Sequence, residues 1–329
     1  MDRKEYLKKL QSIKNDEDFK NLALEIFNYQ AINNKVYKTF LSGLGKSAED
    51  VTHINEIPFP PVELFKSHVV LTGNQDYERI FTSSGTTGID VSKHYIKDVP
   101  FYEQICLSTF SSFYGNPSDY TILALLPSYL ERAGSSLIWM MEKLISNSGK
   151  TDGGFYLNDH EKLFRLLNKL KQQGERVLLF GVTFALLDFV EGHSLDFPEL
   201  TVMDTGGMKG RRKEMVREEV HEELCRGFGV KTIHSEYGMT ELNSQAYSSG
   251  SGIFRTPPWM KILIRDTYDP LLLSGKNVTG GINILDLANI DSCAFIATQD
   301  LGKSYDDGSF EVLGRFDFSD VRGCNLMVD

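Results

Sequence analysis

The sequence predicts an α/β fold, with a βαβ portion followed by a run of antiparallel strands, and three observations carry that expectation. The chain has 329 residues, 41% of them hydrophobic, which is enough for a substantial core. Between Tyr120 and Gly238, short apolar runs alternate with amphipathic segments, the rhythm of strands joined by crossover helices. After about Ser251 the pattern changes to short strands separated by turns, with no long helix, as an antiparallel barrel-like subdomain requires.

Taken in order, Leu7, Leu10, Ile13, Phe19, Leu22, Leu24, Ile26 and Phe27 recur at helical spacing, so two or three helices open the chain between Tyr6 and Leu41. Pro58, Pro60 and Pro61 then fix an extended entry to the first βα portion, because proline restricts both itself and the residue before it. Strands are expected at YTILALLP, RVLLFGV, LTVMDTGG and VKTIHSEYG, with helices near 134–146, 182–191 and 210–228. KILIRD, GGINILD, CAFIATQD and SFEVLGR supply the later strands. The expected division is 1–250 for the helical start and βαβ subdomains, and 251–329 for the antiparallel subdomain and a tail.

Composition excludes several classes of function. A formal net charge of −10 is the opposite of the basic excess that a nucleic-acid surface needs. No run reaches the roughly 18 apolar residues of a membrane span, and the charged amino terminus MDRKEYLKKLQSIKNDEDF lacks the apolar stretch of a signal peptide, so a cytoplasmic protein is expected. Cys106, Cys225, Cys293 and Cys324 lie far apart without any C-x-x-C, which suggests reduced thiols and neither a zinc site nor a disulfide framework.

FTSSGTTGIDVSKHY, from Phe81 to Tyr95, is the segment that points to chemistry. Gly85 and Gly88 let backbone amides approach an anion, Ser83, Ser84, Thr86 and Thr87 offer hydroxyl donors, and Lys93 supplies positive charge, a combination suited to the phosphates of a nucleotide. It is not a G-x-x-x-x-G-K-[ST] loop. The GKS triplets at Gly45 and Gly302 have Phe40 and Ala297 where that pattern requires its first glycine.

Two further segments, HSEYGMTE at 234–241 and QDLGKSYDDGSFEVLGRFD at 299–317, follow in order, with FGVTFALLDFV and MDTGGMKGRRKEM between. Together the five resemble the signature blocks of the adenylate-forming enzymes. The resemblance implies the amino-terminal core of that fold, lacking its mobile carboxyl-terminal domain, since full-length relatives continue beyond the GRFD hinge and this sequence ends at Asp329. PSYLERAGSSLIWMMEKLI, GGFYLNDHEKL and the tail RGCNLMVD are similar, more narrowly, to the acyl-protein synthetases, the long-chain-fatty-acid luciferin-component ligase type.

That resemblance implies ATP and Mg²⁺ as cofactors and a fatty or related carboxylic acid as substrate. It places Thr86, Thr87 and Lys93 on the leaving phosphates, Thr240 on the α-phosphate and Glu241 on the metal. Tyr237 would stack on adenine beside Gly206 and Gly207, Asp300 would hold the ribose hydroxyls, and Arg315 would contact ribose or phosphate. Asp317 matches the hinge position. Cys324, next to Gly323 and near Arg322, would take the acyl group as a thioester and hand it to an acyl-CoA reductase-type partner, while the other three cysteines read as core. His94 and His234 flank the nucleotide segments, and both proton transfer and structural hydrogen bonding remain open for them. Two other functions compete: a coenzyme A ligase of the phenylacetate type, and a non-catalytic nucleotide-binding subunit.

Overall fold

A computed structural model describes residues 3–83, 91–127, 134–206 and 215–316. Three helices open it: α1 (Arg3–Gln11), α2 (Asp16–Asn33) and α3 (Lys35–Gly43). Helix α2 starts where it does because the Asn15 side chain accepts from the amides of Glu17 and Asp18, with Asp16, Glu17 and Asp18 at the positive end of the helix dipole. Asn34 both ends α2 and caps α3, accepting from the Tyr37 amide. The inward faces of these helices meet strands from the far end of the sequence. Phe27 and Tyr37 pack on Phe295, and the buried Gln30 side chain donates to the carbonyls of Asn289, Ile290 and Ser292 and accepts from the Ala294 amide.

After the short helix α4 (Leu64–Ser67), strands β1 (Arg79–Thr82) and β2 (Lys93–Ile96) form an antiparallel hairpin on either side of the SSGTTG segment. Next come α5 (Val99–Tyr114), β3 (Thr121–Leu125), α6 (Ser136–Ser148), β4 (Gly154–Phe155), α7 (His160–Gln172), β5 (Val177–Val182), α8 (Thr183–Gly192), β6 (Thr201–Thr205), α9 (Arg217–Phe228) and β7 (His234–Tyr237). The chain continues through β8 (Ala246–Ser248), β9 (Ile253–Arg255), β10 (Met260–Arg265), β11 (Thr279–Asp286), β12 (Phe295–Ser304) and β13 (Phe310–Arg315).

Apart from the hairpin, these strands form one 11-stranded sheet in the order β10-β11-β12-β13-β9-β8-β7-β6-β5-β3-β4. From β4 to β7 it is parallel, and from β7 onward each neighbouring pair is antiparallel. The strands after Ser251 thus continue the βαβ sheet through hydrogen bonds between β8 and β9. The proline segment docks on this later half: the Ala297 amide donates to the Pro60 carbonyl and the Val62 amide to the Ala297 carbonyl. Gly302, from one GKS triplet, lies within β12, far from any phosphate-loop geometry.

The two halves differ inside. β3 and β5 are buried along their whole length, and apart from Thr121 at the start of β3 they carry no polar side chain, as strands covered on both faces by helices do. β11 and β12 bury Asn283, Asp286, Thr298 and Asp300 as well. Arg265 enters this polar interior from β10, where its guanidinium donates to the carbonyls of Ile282 and Thr298 and to Asn283 Oδ1. Gly281 is required opposite it, because a Cβ there would collide with the guanidinium.

Candidate active site

A cleft of about 170 Å³ opens at the carboxyl ends of β6 and β7, where α/β sheets place their ligands. Thr82 and Ser83 line it from the hairpin, Thr205 and Gly206 from β6, and Glu236, Gly238, Met239, Thr240 and Gln245 from β7 and the turn after it. Ser135, Ser136 and Met140 close it from the start of α6. Gly206 ends β6 at φ +76°, a conformation glycine adopts without steric cost.

Of the residues expected from the sequence, Ser83, Gly206 and Thr240 share this cleft. The base of the SSGTTG loop is closed reciprocally: the Ser83 amide donates to the Ser92 carbonyl, and the Ser92 amide donates to Ser83 Oγ at 3.0 Å. The Ser92 side chain in turn hydrogen-bonds Glu241, so the loop base and the expected metal ligand are held together. Glu241 is 6% exposed, and burial pushes its carboxyl up from the usual range, opposed by the Ser92 contact. Lys93 lies at the start of β2, exposed and paired with Thr82. Ser84, Gly85, Thr86, Thr87, Gly88, Gly207, Asp317 and Cys324 lie outside the described residues.

Tyr237, Asp300 and Arg315 come together as a chain of contacts. The Tyr237 hydroxyl donates to Asp300 Oδ2 at 2.7 Å, and Arg315 Nε lies 3.3 Å from Asp300 Oδ1. Asp300 and Arg315 are direct cross-strand partners on β12 and β13, which explains why a buried carboxylate meets an arginine whose side chain remains 77% exposed. Burial, followed by the Asp300 charge, pushes the Tyr237 phenol well above its ordinary value.

The segment after Tyr237 is anchored from behind. His94 is buried on β2, with Nδ1 2.8 Å from the Thr240 carbonyl and Nε2 3.2 Å from Asn289 Oδ1, while Asn289 Nδ2 donates to the Glu241 carbonyl. Burial drops the His94 imidazole to about 4, so a neutral ring donates from Nδ1 to Thr240. This favours the structural reading of His94. His234 hydrogen-bonds the Tyr114 hydroxyl and is likewise shifted down by burial. Asp286, fully buried at the end of β11, accepts from the amides of Asn243, Ser244 and Ala288 and from Ser244 Oγ. Cys106 and Cys293 are buried, with thiols pushed up by burial, in line with their expected core role.

Several of these groups were not evident from sequence: Ser92, Asn289, Asp286 and Glu236. For Glu236 a signal existed. In a strand, neighbouring side chains point to opposite faces, so Glu236 and Tyr237 cannot share an environment. The Tyr237 ring packs edge-on against Phe254 and Phe310, whereas Thr205 Oγ1 donates to Glu236 Oε2 at 2.5 Å on the cleft side.

Among the described residues no cluster of three His, Cys, Asp or Glu side chains converges as a self-sufficient metal site. Glu241 fits a different arrangement, in which Mg²⁺ is shared between one carboxylate and nucleotide phosphates. Also among the described residues, no helix is long and apolar enough to cross a membrane.

The fold is shared with acyl-CoA ligases of known structure. The chain matches 2-hydroxyisobutyryl-CoA ligase, in complex with its acyl-adenylate and CoA, with a TM-score of 0.68 at 12% identity, covering 92% of this chain and 70% of that one. It matches ATP-bound MatB from Rhodopseudomonas palustris with a TM-score of 0.53 at 17% identity, covering 72% of this chain but spanning only 47% of MatB. In sequence the chain is similar to the long-chain-fatty-acid–luciferin-component ligase of Vibrio harveyi, 24% identical over 325 residues, with 91% of this chain and 84% of that protein covered. No family model matches the chain. In sequence the chain is thus similar to a long-chain-fatty-acid–luciferin-component ligase, and in fold to acyl-CoA ligases of known structure.

Proposed function

We propose that this chain activates a carboxylic acid with ATP, forming acyl-AMP and pyrophosphate, and then passes the acyl group to Cys324. The single observation that supports this best is the Ser83–Ser92–Glu241 linkage, which ties the base of a phosphate-type loop, at Ser83 on the cleft, to the buried Glu241 carboxylate. The Tyr237–Asp300–Arg315 chain on the neighbouring wall supplies an acceptor for ribose hydroxyls and a cation for phosphate. Thr240, at the cleft rim, donates to the α-phosphate.

In the first step a substrate carboxylate oxygen attacks the α-phosphorus, and the bond to the bridging oxygen breaks to release pyrophosphate. Glu241 would hold Mg²⁺, which would supply neutralisation of the charge that gathers on the leaving group. Fixed donors at Ser83 and Thr240 do the same without reorganising during the reaction. In the second step the Cys324 thiolate attacks the acyl carbonyl and AMP leaves. The thioester then goes to a reductase partner.

Acid-dependent pyrophosphate exchange tests the first step, where Glu241→Gln is expected to slow exchange by at least about tenfold, or about 1.4 kcal/mol in the barrier. Undiminished exchange would remove Glu241 from the metal. Intact mass tests the second step. Wild type should gain one acyl group that neutral hydroxylamine removes, while Cys324→Ser should keep exchange and gain none. A labile acyl group on the Cys324→Ser variant would assign the acceptor to another thiol, and acyl-CoA appearing in its place would favour the coenzyme A ligase.

A further inference from the structure

Arg315 has to present its guanidinium to a nucleotide, yet its own side chain is weakly held. It is 77% exposed and meets Asp300 through Nε at 3.3 Å. A long exposed side chain with such an ion pair keeps much of its rotamer freedom, so where Arg315 points depends on how firmly its backbone is fixed. That backbone is interrupted just before it. The β12–β13 ladder shifts register between Leu301 and Gly302, and Gly314 sits at φ +148°, where glycine is favoured. Beyond the bulge Gly314 and Arg315 pair with Leu301 and Asp300, and β13 then ends.

The next residue adds the hold that this short strand end lacks. The Phe316 amide donates to the Gln299 carbonyl at 2.8 Å, which carries the ladder one step past Arg315. The Phe316 ring lies over the Arg265 guanidinium, with its centroid 5.4 Å from Cζ. Arg265 is a fixed platform, 8% exposed, whose N–H groups donate to the carbonyls of Ile282 and Thr298 and to Asn283 Oδ1. Hydrogen bonds use the edge of a guanidinium and leave its face for an aromatic ring, a contact that is strongest where water is excluded. Gln299 is tied down as well, since its side chain donates to Glu63, next to the backbone bonds that join Ala297 to Pro60 and Val62. Phe316 is thus fixed through its ring by β10 and through its amide by β12. The platform also adjoins the nucleoside wall, because the charges of Asp300 and Tyr237 act on Arg265.

We propose that Phe316 is a positioning residue for Arg315: clamped on Arg265, it fixes the end of β13 so that the exposed Arg315 guanidinium is presented to the nucleotide beside Asp300. This rests on the adenylation reading above and adds to it a residue that acts through Arg315 without touching substrate.

The test is a double-mutant cycle on Phe316 and Arg315, read by AMP affinity from calorimetry and by the KM for ATP in acid-dependent pyrophosphate exchange. Arg315→Ala and Phe316→Ala should each weaken AMP binding and raise that KM by about tenfold, and the double variant should be no weaker than Arg315→Ala. A residue that acts through Arg315 has nothing to hold once Arg315 is gone, whereas a merely structural loss would multiply with it. Phe316→Tyr, which keeps the ring, should stay within about twofold of wild type, and Phe316→Leu, which keeps apolar bulk alone, should fall with Phe316→Ala. Losses that multiply in the double variant would overturn the inference and leave adenylation standing. So would a Phe316→Ala protein, or an Arg315→Ala protein, that binds and exchanges like wild type. A wild type that binds no nucleotide and exchanges with no acid would overturn the adenylation reading and the inference with it. Should Phe316→Ala fail to fold, Phe316→Leu takes its place in the cycle.

Discussion

The parallel and antiparallel halves of the sheet hold the cleft by different physics. On the parallel side, β3 and β5 bury unbroken apolar runs, and Val177–Val182 is covered on both faces. On the antiparallel side Asp286, Asn289, Arg265, Thr298 and Asp300 are buried and hydrogen-bonded; Asp286 and Asn289 hold the backbone from Glu241 to Ser244, and Asp300 holds the Tyr237 hydroxyl. Apolar packing is non-directional, so one half supplies stability. Hydrogen bonds are directional, so the other half supplies position, at the cost of keeping charge out of water. The two kinds of support should fail differently when cut.

The largest effect is expected from Asp286→Ala, which strips the acceptor from three amides and the Ser244 hydroxyl. With each buried donor left unpaired costing about 1–3 kcal/mol, urea unfolding should show a loss of about 3 kcal/mol or more, together with weaker nucleotide binding. Leu179→Ala, in fully buried β5, should lose a comparable 2–5 kcal/mol, roughly, while leaving nucleotide affinity within twofold in the protein that remains folded. Equal loss of affinity in both variants would erase the distinction between the halves.

Next in size is the pH response of His94. Its folded pKa of about 4 lies below the ordinary imidazole value, so the unfolded chain binds the proton first. Its contribution is therefore fully present above pH ~6.5 and is lost as pH falls towards 4, by up to about 3 kcal/mol, given about 1.36 kcal/mol per pKa unit. The raised carboxyls of Glu241 and Asp286 act in the opposite sense, so the measurement is the difference between wild type and His94→Gln. A difference flat from pH 4 to 7 would mean His94 is solvated in the folded protein.

The smallest effect sharpens the nucleoside wall. Tyr237→Phe removes one hydrogen bond to a buried carboxylate, and AMP affinity by calorimetry should fall by roughly tenfold, the scale of about 1.5 kcal/mol for such bonds. An unchanged affinity would mean that Asp300 is positioned by β12 alone.

Much of this was legible in the sequence, and what escaped it has physical reasons. The apolar runs at YTILALLP and RVLLFGV marked β3 and β5 because an all-buried strand needs no alternation to stand out. Helix α7 was passed over, although Leu163, Leu167 and Leu170 form an apolar stripe within it. The continuity of the sheet across β8 and β9 depends on pairings between distant strands, which a local pattern cannot express. Asp286 looked like the polar end of GGINILD, and only the fold shows that four donors converge on it. Glu236 was hidden by its neighbours, since Tyr237 and Glu241 absorbed the meaning of HSEYGMTE.

The Gln30 side chain, with partners 259–264 residues further along the chain, also bears on how the protein is made. Ribosomes deliver roughly 5–20 residues per second, so the opening helices wait for roughly 13–50 seconds before the carbonyls that Gln30 bonds have been synthesised. During that interval Phe19, Leu22, Ile26 and Phe27 have none of their final neighbours from β11 and β12, and the nascent helices present an apolar face to solvent or to a chaperone. Assembly of the amino-terminal layer is thus a late event in biosynthesis even though its residues are translated first, and production yield should depend on holdase capacity more than on codon-level speed at the start of the message.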